Sequence, residues 1–100
     1  MIEVQQTDKF SNWLHQLADR RARARVEARV RRLTLRNPGE VKPVGEGVSE
    51  MRIDHGPGYR VYFMQLGKQF VLLLAGGDKR TQVQDIKAAI ELAREMKGSA

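Results

Sequence analysis

The stretch VSEMRIDHGPGYRVYFMQLGKQFVLLLAGGDKRT, residues 48–81, decides the fold. It divides into three strands, VSEMRID (48–54), YRVYFMQ (59–65) and QFVLLLAGG (69–77), closed by the charged tetrad Asp78, Lys79, Arg80 and Thr81. In the first, a period of two sorts Glu50, Arg52 and Asp54 onto one face and Ser49, Met51 and Ile53 onto the other. One face is expected to be core and the other to face outward. In the second, Val61 and Phe63 alternate with Arg60, Tyr62 and Met64. If the polar faces coincide, Arg60 and Tyr62 lie beside Arg52 and form a small cationic surface on a rigid sheet. The third contains Phe70 to Ala75, apolar without alternation, as expected of a central strand covered on both faces. Asp54-His55-Gly56-Pro57-Gly58 and Leu66-Gly67-Lys68 are the turns between them, with Gly67 in the left-handed region.

Upstream, Ile2 to Gln6 is a short strand candidate. Thr7 or Asp8 then offers an N-cap, and Phe10, Trp13, Leu14 and Leu17 recur at the spacing of an amphipathic helix that ends near Asp19. A second helix is expected from Arg20 to Arg36, stopped by Asn37-Pro38-Gly39. Its apolar stripe is Ala22, Val26, Val30 and Leu33. Beside that stripe Arg21, Arg25, Arg29, Arg32 and Arg36 share an arc of roughly 80°. Residues 37–47 hold two of the three prolines and three of the nine glycines, which predicts a loop that does not pack as an element. Downstream, Thr81 to Gln84 fits a capping box, and Ile86, Ala89, Ile90, Ala93 and Met96 trace the buried side of a final helix. The predicted order is β-α-α-β-β-β-α, an α+β class with a small, mostly antiparallel sheet.

One hundred residues make a single domain over 1–100 with one core, with disorder expected only at residues 97–100. No apolar run reaches the ~20 residues of a membrane helix, and the chain enters Met1-Ile2-Glu3-Val4 without the basic and apolar segments of a signal peptide. The absence of cysteine removes disulfides and thiolate chemistry and fits a cytoplasmic protein. With two histidines in addition, no zinc site and no cofactor is expected. The net charge is +6, from twelve arginines and six lysines against twelve acids, and eight arginines fall between Arg20 and Arg36 opposed only by Glu27. This bias points to nucleic acid or to an acidic protein partner.

The element order, with GYRVYF at 58–63 and LLAGGDKRTQVQDI at 73–86, resembles the RelE/ParE superfamily of type II toxin–antitoxin modules. The likeness is nearest to the HigB-like addiction module killer proteins and covers nearly the whole chain. It implies a small α+β toxin neutralised by a cognate antitoxin, which in HigB-like systems is a HigA-like helix-turn-helix DNA binder. In the RelE-like and HigB-like branches it implies a metal-independent endoribonuclease that cuts mRNA on the ribosome. In the ParE branch it implies an inhibitor of DNA gyrase that acts by protein contact.

Metal-free RNA cleavage needs cations fixed around one phosphate, with a base for the attacking 2′-OH and an acid for the leaving 5′ oxygen. Arg60 is the first candidate for stabilising the transition state, since a guanidinium fork on a strand matches phosphate oxygens rigidly. It also matches the arginine of the family's GYR motif. Lys79 and Arg80 sit before a helix start, where backbone N–H groups favour anions, and they match basic residues of the nuclease branches. Arg52 corresponds to a lysine-rich strand position of RelE-like toxins, and Asp54 replaces the second cation of that strand. Those toxins carry a tyrosine, and HigB-like ones a histidine, in or near the final helix; here Thr81 to Ala100 has neither. The acid and base candidates are therefore His55, Tyr62, Glu50, Asp78 and Asp85, among which histidine is best placed by its intrinsic pKa near ~6.5. The five arginines of the second helix are expected to contact RNA phosphates without reading sequence.

Overall fold

The computed structural model describes residues 2–98. Strand β1 (Glu3–Gln6) leads into helices α1 (Asp8–Gln16) and α2 (Arg20–Thr34), and four strands follow: β2 (Val41–Gly45), β3 (Val48–Ile53), β4 (Tyr59–Leu66) and β5 (Phe70–Asp78). A single 3-10 turn (Lys79–Thr81) then opens α3 (Gln82–Gly98). The sheet order is β1-β5-β4-β3-β2, with β1 parallel to β5 and the other pairs antiparallel. The class is α+β, as the sequence predicts.

Each helix of the N-terminal hairpin starts on a side-chain cap. The Thr7 hydroxyl accepts from Phe10 N–H at 3.1 Å and donates to the Leu74 carbonyl at 2.7 Å, tying the start of α1 to β5. The Asp19 carboxylate accepts from Arg21 and Ala22 N–H and starts α2, so α1 ends at Gln16, a turn short of the expected place. Helix α2 ends at Thr34, and Arg36 lies beyond it at φ 61°. The hairpin covers one face of the sheet, where Phe10, Val26 and Leu33 meet Met51, Ile53, Val61, Phe63, Val71 and Leu73. Helix α3 covers the opposite face, where Ala89 and Ala93 lie on Tyr62, Met64, Leu72 and Leu74.

Three expectations are corrected. Residues 41–45 are an edge strand, paired with β3 through Val41↔Met51 and Pro43↔Ser49. Proline is tolerated there because the missing N–H costs nothing on an unpaired edge, and a bulge between Pro43 and Gly45 absorbs the irregular spacing. The polar face of β3 and β4 does not face outward: α3 lies over it, and Glu50, Arg60 and Tyr62 are buried. At the far end, α3 extends through Lys97 and Gly98, while Ser99 and Ala100 of the expected disordered tail lie outside the described residues.

The pair Gly76-Gly77 is required by close approach on both faces. A Cβ on Gly76 would overlap the Trp13 ring of α1, and one on Gly77 would overlap the Asp85 carboxylate of α3.

Candidate functional site

The antiparallel register sets Arg52 opposite Arg60 and Glu50 opposite Tyr62, so the period-two reading brings these four together. Glu50 is 1% exposed and is the hub of the cluster. Its carboxylate accepts from Tyr62 OH at 3.0 Å and from Gln82 Nε2 at 2.9 Å, and it lies 3.6 Å from Arg60 Nε and 4.0 Å from Arg52 Nε. Two cations and two neutral donors around one buried carboxylate satisfy the requirement that a buried charge be paired. Burial first, and then the bond to Glu50, pushes the Tyr62 phenol well above its ordinary range.

Arg60 is buried at 3% exposure. One terminal nitrogen donates to the Gly58 carbonyl at 2.8 Å. Its Nε, though near Glu50, makes no hydrogen bond. The residue forms the floor of an open cleft of about 370 Å³ whose walls include Arg52, Tyr59, Lys79, Glu40 and Asp54. Lys79 and Arg52 are exposed on its rim. Arg60 is held by a carboxylate and a carbonyl and lines a space large enough for a phosphate and one nucleoside.

Arg80 points elsewhere. Its guanidinium pairs with Asp78 at 2.8 Å, and the same carboxylate accepts from Arg80 N–H. Those bonds hold Asp78 below the usual carboxylate range. Asp85 accepts from the Thr81 hydroxyl at 2.5 Å, so this threonine bonds the first turn of α3 in place of the expected capping box. His55 lies on the hairpin side, where Nε2 meets the Asp19 carboxylate at 3.2 Å and the ring stacks on Tyr59. Backbone N–H of Ala22, followed by His55, lowers the Asp19 pKa. The candidate acids and bases are therefore divided: Glu50 and Tyr62 below the cleft, Asp78 and Asp85 at the helix start, and His55 against α2.

The arginines of α2 also divide. Arg29 is a clamp: its guanidinium donates to the carbonyls of Pro38 at 2.8 Å, Arg52 at 2.6 Å and Glu40 at 3.4 Å, fixing the approach to β2 against β3. Burial, with Arg32 nearby, lowers its pKa. Arg36, past the helix end, donates to the Lys68 carbonyl at 3.2 Å. Arg21, Arg25 and Arg32 are exposed. Arg25, Arg29 and Arg32 line a second cleft of about 310 Å³, which meets the first at Ile53 and Asp54.

Sequence reasoning missed Gln82, the donor from α3 to Glu50, because the T-x-x-Q pattern drew attention to Gln84. It also missed the Asp19–His55 pair, since contacts 36 residues apart leave no local pattern. Among the described residues no group of three or more His, Asp or Glu side chains is arranged to hold a metal ion, and no helix is long and apolar enough to cross a membrane.

With this geometry in place, comparison with known proteins gives a family. The model of the family described as Phage derived protein Gp49-like (DUF891) matches residues 12–97. An uncharacterized protein of Haemophilus influenzae is 46% identical over 95 residues, covering 95% of this chain and 96% of the relative. The chain belongs to the Gp49-like family.

Proposed function

We propose that this Gp49-like protein is the toxin of a type II toxin–antitoxin module, a HigB-like member of the RelE/ParE superfamily that cleaves mRNA on the ribosome. The Gp49-like family is one of addiction module, toxin-like proteins, which supports the toxin context and a neutralising antitoxin partner. The observation that carries the nuclease reading is Arg60: a guanidinium fixed by Glu50 and Gly58 that lines a cleft rimmed by Arg52 and Lys79.

In the proposed reaction the 2′-OH loses its proton and its oxygen attacks the adjacent phosphorus. The bond to the 5′ oxygen then breaks, leaving a 2′,3′-cyclic phosphate and a protonated 5′-OH. Arg60 stabilises the charge that grows on the phosphorane oxygens, and a donor held rigidly needs no reorganisation as the charge develops. Lys79 and Arg52 neutralise the scissile phosphate and its neighbour. Glu50, Tyr62 and Gln82 act beneath the floor as positioning residues. The cleft brings cations, and the ribosome supplies the alignment of the 2′-OH; the protons pass through water or ribosomal groups.

A ParE-like inhibitor of DNA gyrase is the second reading. It is favoured by one feature, that the walls of the cleft carry no imidazole while the Tyr62 phenol is sealed. Primer extension on a reporter mRNA in a reconstituted translation system separates the two. Discrete new 5′ ends are expected with ribosomes and not without them. They are expected to vanish with Arg60→Lys, which keeps the charge and loses the fork, and to weaken about ten- to a hundredfold with Lys79→Ala on the exposed rim. Intact mRNA with a toxic preparation, together with gyrase-dependent DNA breaks, would establish the second reading.

A further inference from the structure

Resting on the nuclease reading, we infer that Asp54 reads the base beside the cleaved phosphate, selecting bases that present an amino group on the Watson–Crick edge over uracil. The two clefts meet at Ile53 and Asp54, so a strand passing from Arg60 toward Arg25 and Arg32 passes Asp54. Asp54 is exposed. Among the described residues its carboxylate has no hydrogen-bond or ion-pair partner, although Arg25, Arg29, Arg32 and Arg52 line the same two clefts. The other acid of the first cleft, Glu40, acts on Arg29.

An unpaired carboxylate in a cationic groove repels the phosphates the groove attracts. What it offers in return is recognition, because an ionised carboxylate only accepts hydrogen bonds. Cytosine and adenine present an amino donor to it, whereas uracil flanks a single ring N–H with two carbonyl oxygens that the carboxylate repels. Tyr59 also lines the cleft, and its ring is held on the hairpin side by Trp13 and by the stacked His55, each at 6.4 Å between centroids. Phosphates on Arg60, Lys79 and Arg52 and a base edge at Asp54 make one nucleotide subsite.

The test uses the full chain and short oligoribonucleotides, oligo(A), oligo(C) and oligo(U) of equal length, with binding measured by fluorescence anisotropy at fixed salt. The wild type is expected to favour oligo(A) and oligo(C) over oligo(U) about five- to tenfold. In Asp54→Asn the amide both donates and accepts, so the preference should collapse to within about twofold while affinity for all three rises through lost repulsion. Cleavage mapping on the ribosome with the same variant should spread to uracil-flanked sites. Equal binding of all three by the wild type, or an unchanged ratio in Asp54→Asn, overturns the inference even where mRNA is cleaved. Base-selective binding lost in Asp54→Asn, with no cleavage under any condition, retains Asp54 as a base reader and rejects the nuclease.

Discussion

The two faces of the sheet are both covered, yet by different means. Under α1 and α2 the core is apolar, with Val26 and Leu33 of α2 and Phe10 of α1 lying on alternate residues of β3, β4 and β5. Under α3 the apolar half, built on Ala89 and Ala93, gives way toward the helix start to Glu50, Arg60, Tyr62 and Gln82. The first arrangement is tolerant of exchange between residues of like volume. The second is specific, since each polar group depends on the partner that desolvation has left it. A groove that must hold a charged ligand gains rigidity from the second kind, and the candidate site lies on that face.

The largest test of this contrast is Glu50→Leu. Removing the hub leaves Arg60 buried without its counter-charge and Tyr62 without an acceptor, and the expected loss is about 3–5 kcal/mol in urea unfolding. Replacing Glu50, Arg60 and Tyr62 together by Leu, Met and Phe should recover most of that loss, since a buried pair exchanged for packed apolar groups is often neutral or better. Recovery of stability without recovery of RNA binding would show that the polar face serves the ligand rather than the fold. Glu50→Leu at wild-type stability would end the distinction between the faces.

Gly76→Ala probes the apolar side. Its added methyl meets the Trp13 ring, and overpacking there should cost about 1–3 kcal/mol, read as a lower Tm. Tyr62→Phe removes one hydrogen bond to Glu50 and should cost about 1–2 kcal/mol. Its signature is in pH. The folded-state phenol titrates above its unfolded value of about 10, so the stability it carries is complete below that pH and falls as pH rises beyond it. In Tyr62→Phe this alkaline decline should diminish.

What the sequence disclosed of this contrast was the period, and what it concealed was the cover. Alternation in β3 and β4 sorts Glu50, Arg52, Arg60 and Tyr62 onto one face, and the register confirms that they are neighbours. Alternation cannot distinguish a polar face in water from one under a helix, because the residues are the same and only α3's position differs. The small residues Ala89 and Ala93, read only as a buried stripe, are what let that helix approach. Strand β2 was hidden by Pro43 and Gly45, whose edge location is a property of the sheet and not of the segment. Of the α2 arginines, the arc was legible, but the withdrawal of Arg29 to three backbone carbonyls depends on residues 9 to 23 positions away.

The smallest effect on stability is expected from the outward side of α2. Arg25 and Arg32 are exposed, away from the buried Ala22, Val26 and Leu33 of the same helix, so replacing both with alanine should change unfolding free energy by no more than about 0.5 kcal/mol. Arg29→Ala on the same helix should be clearly destabilising, because it releases residues 38–40 from β3. In nucleic-acid binding the order reverses. Each of Arg25 and Arg32 that meets a phosphate contributes a counterion, so the double variant should flatten the slope of log affinity against log salt by roughly 1.4 for a single strand. Its base preference should remain, because phosphate contacts position a strand without reading it. A salt slope unchanged in that variant would confine binding to the cleft over Arg60 and leave the exposed arginines of α2 free for an acidic protein partner.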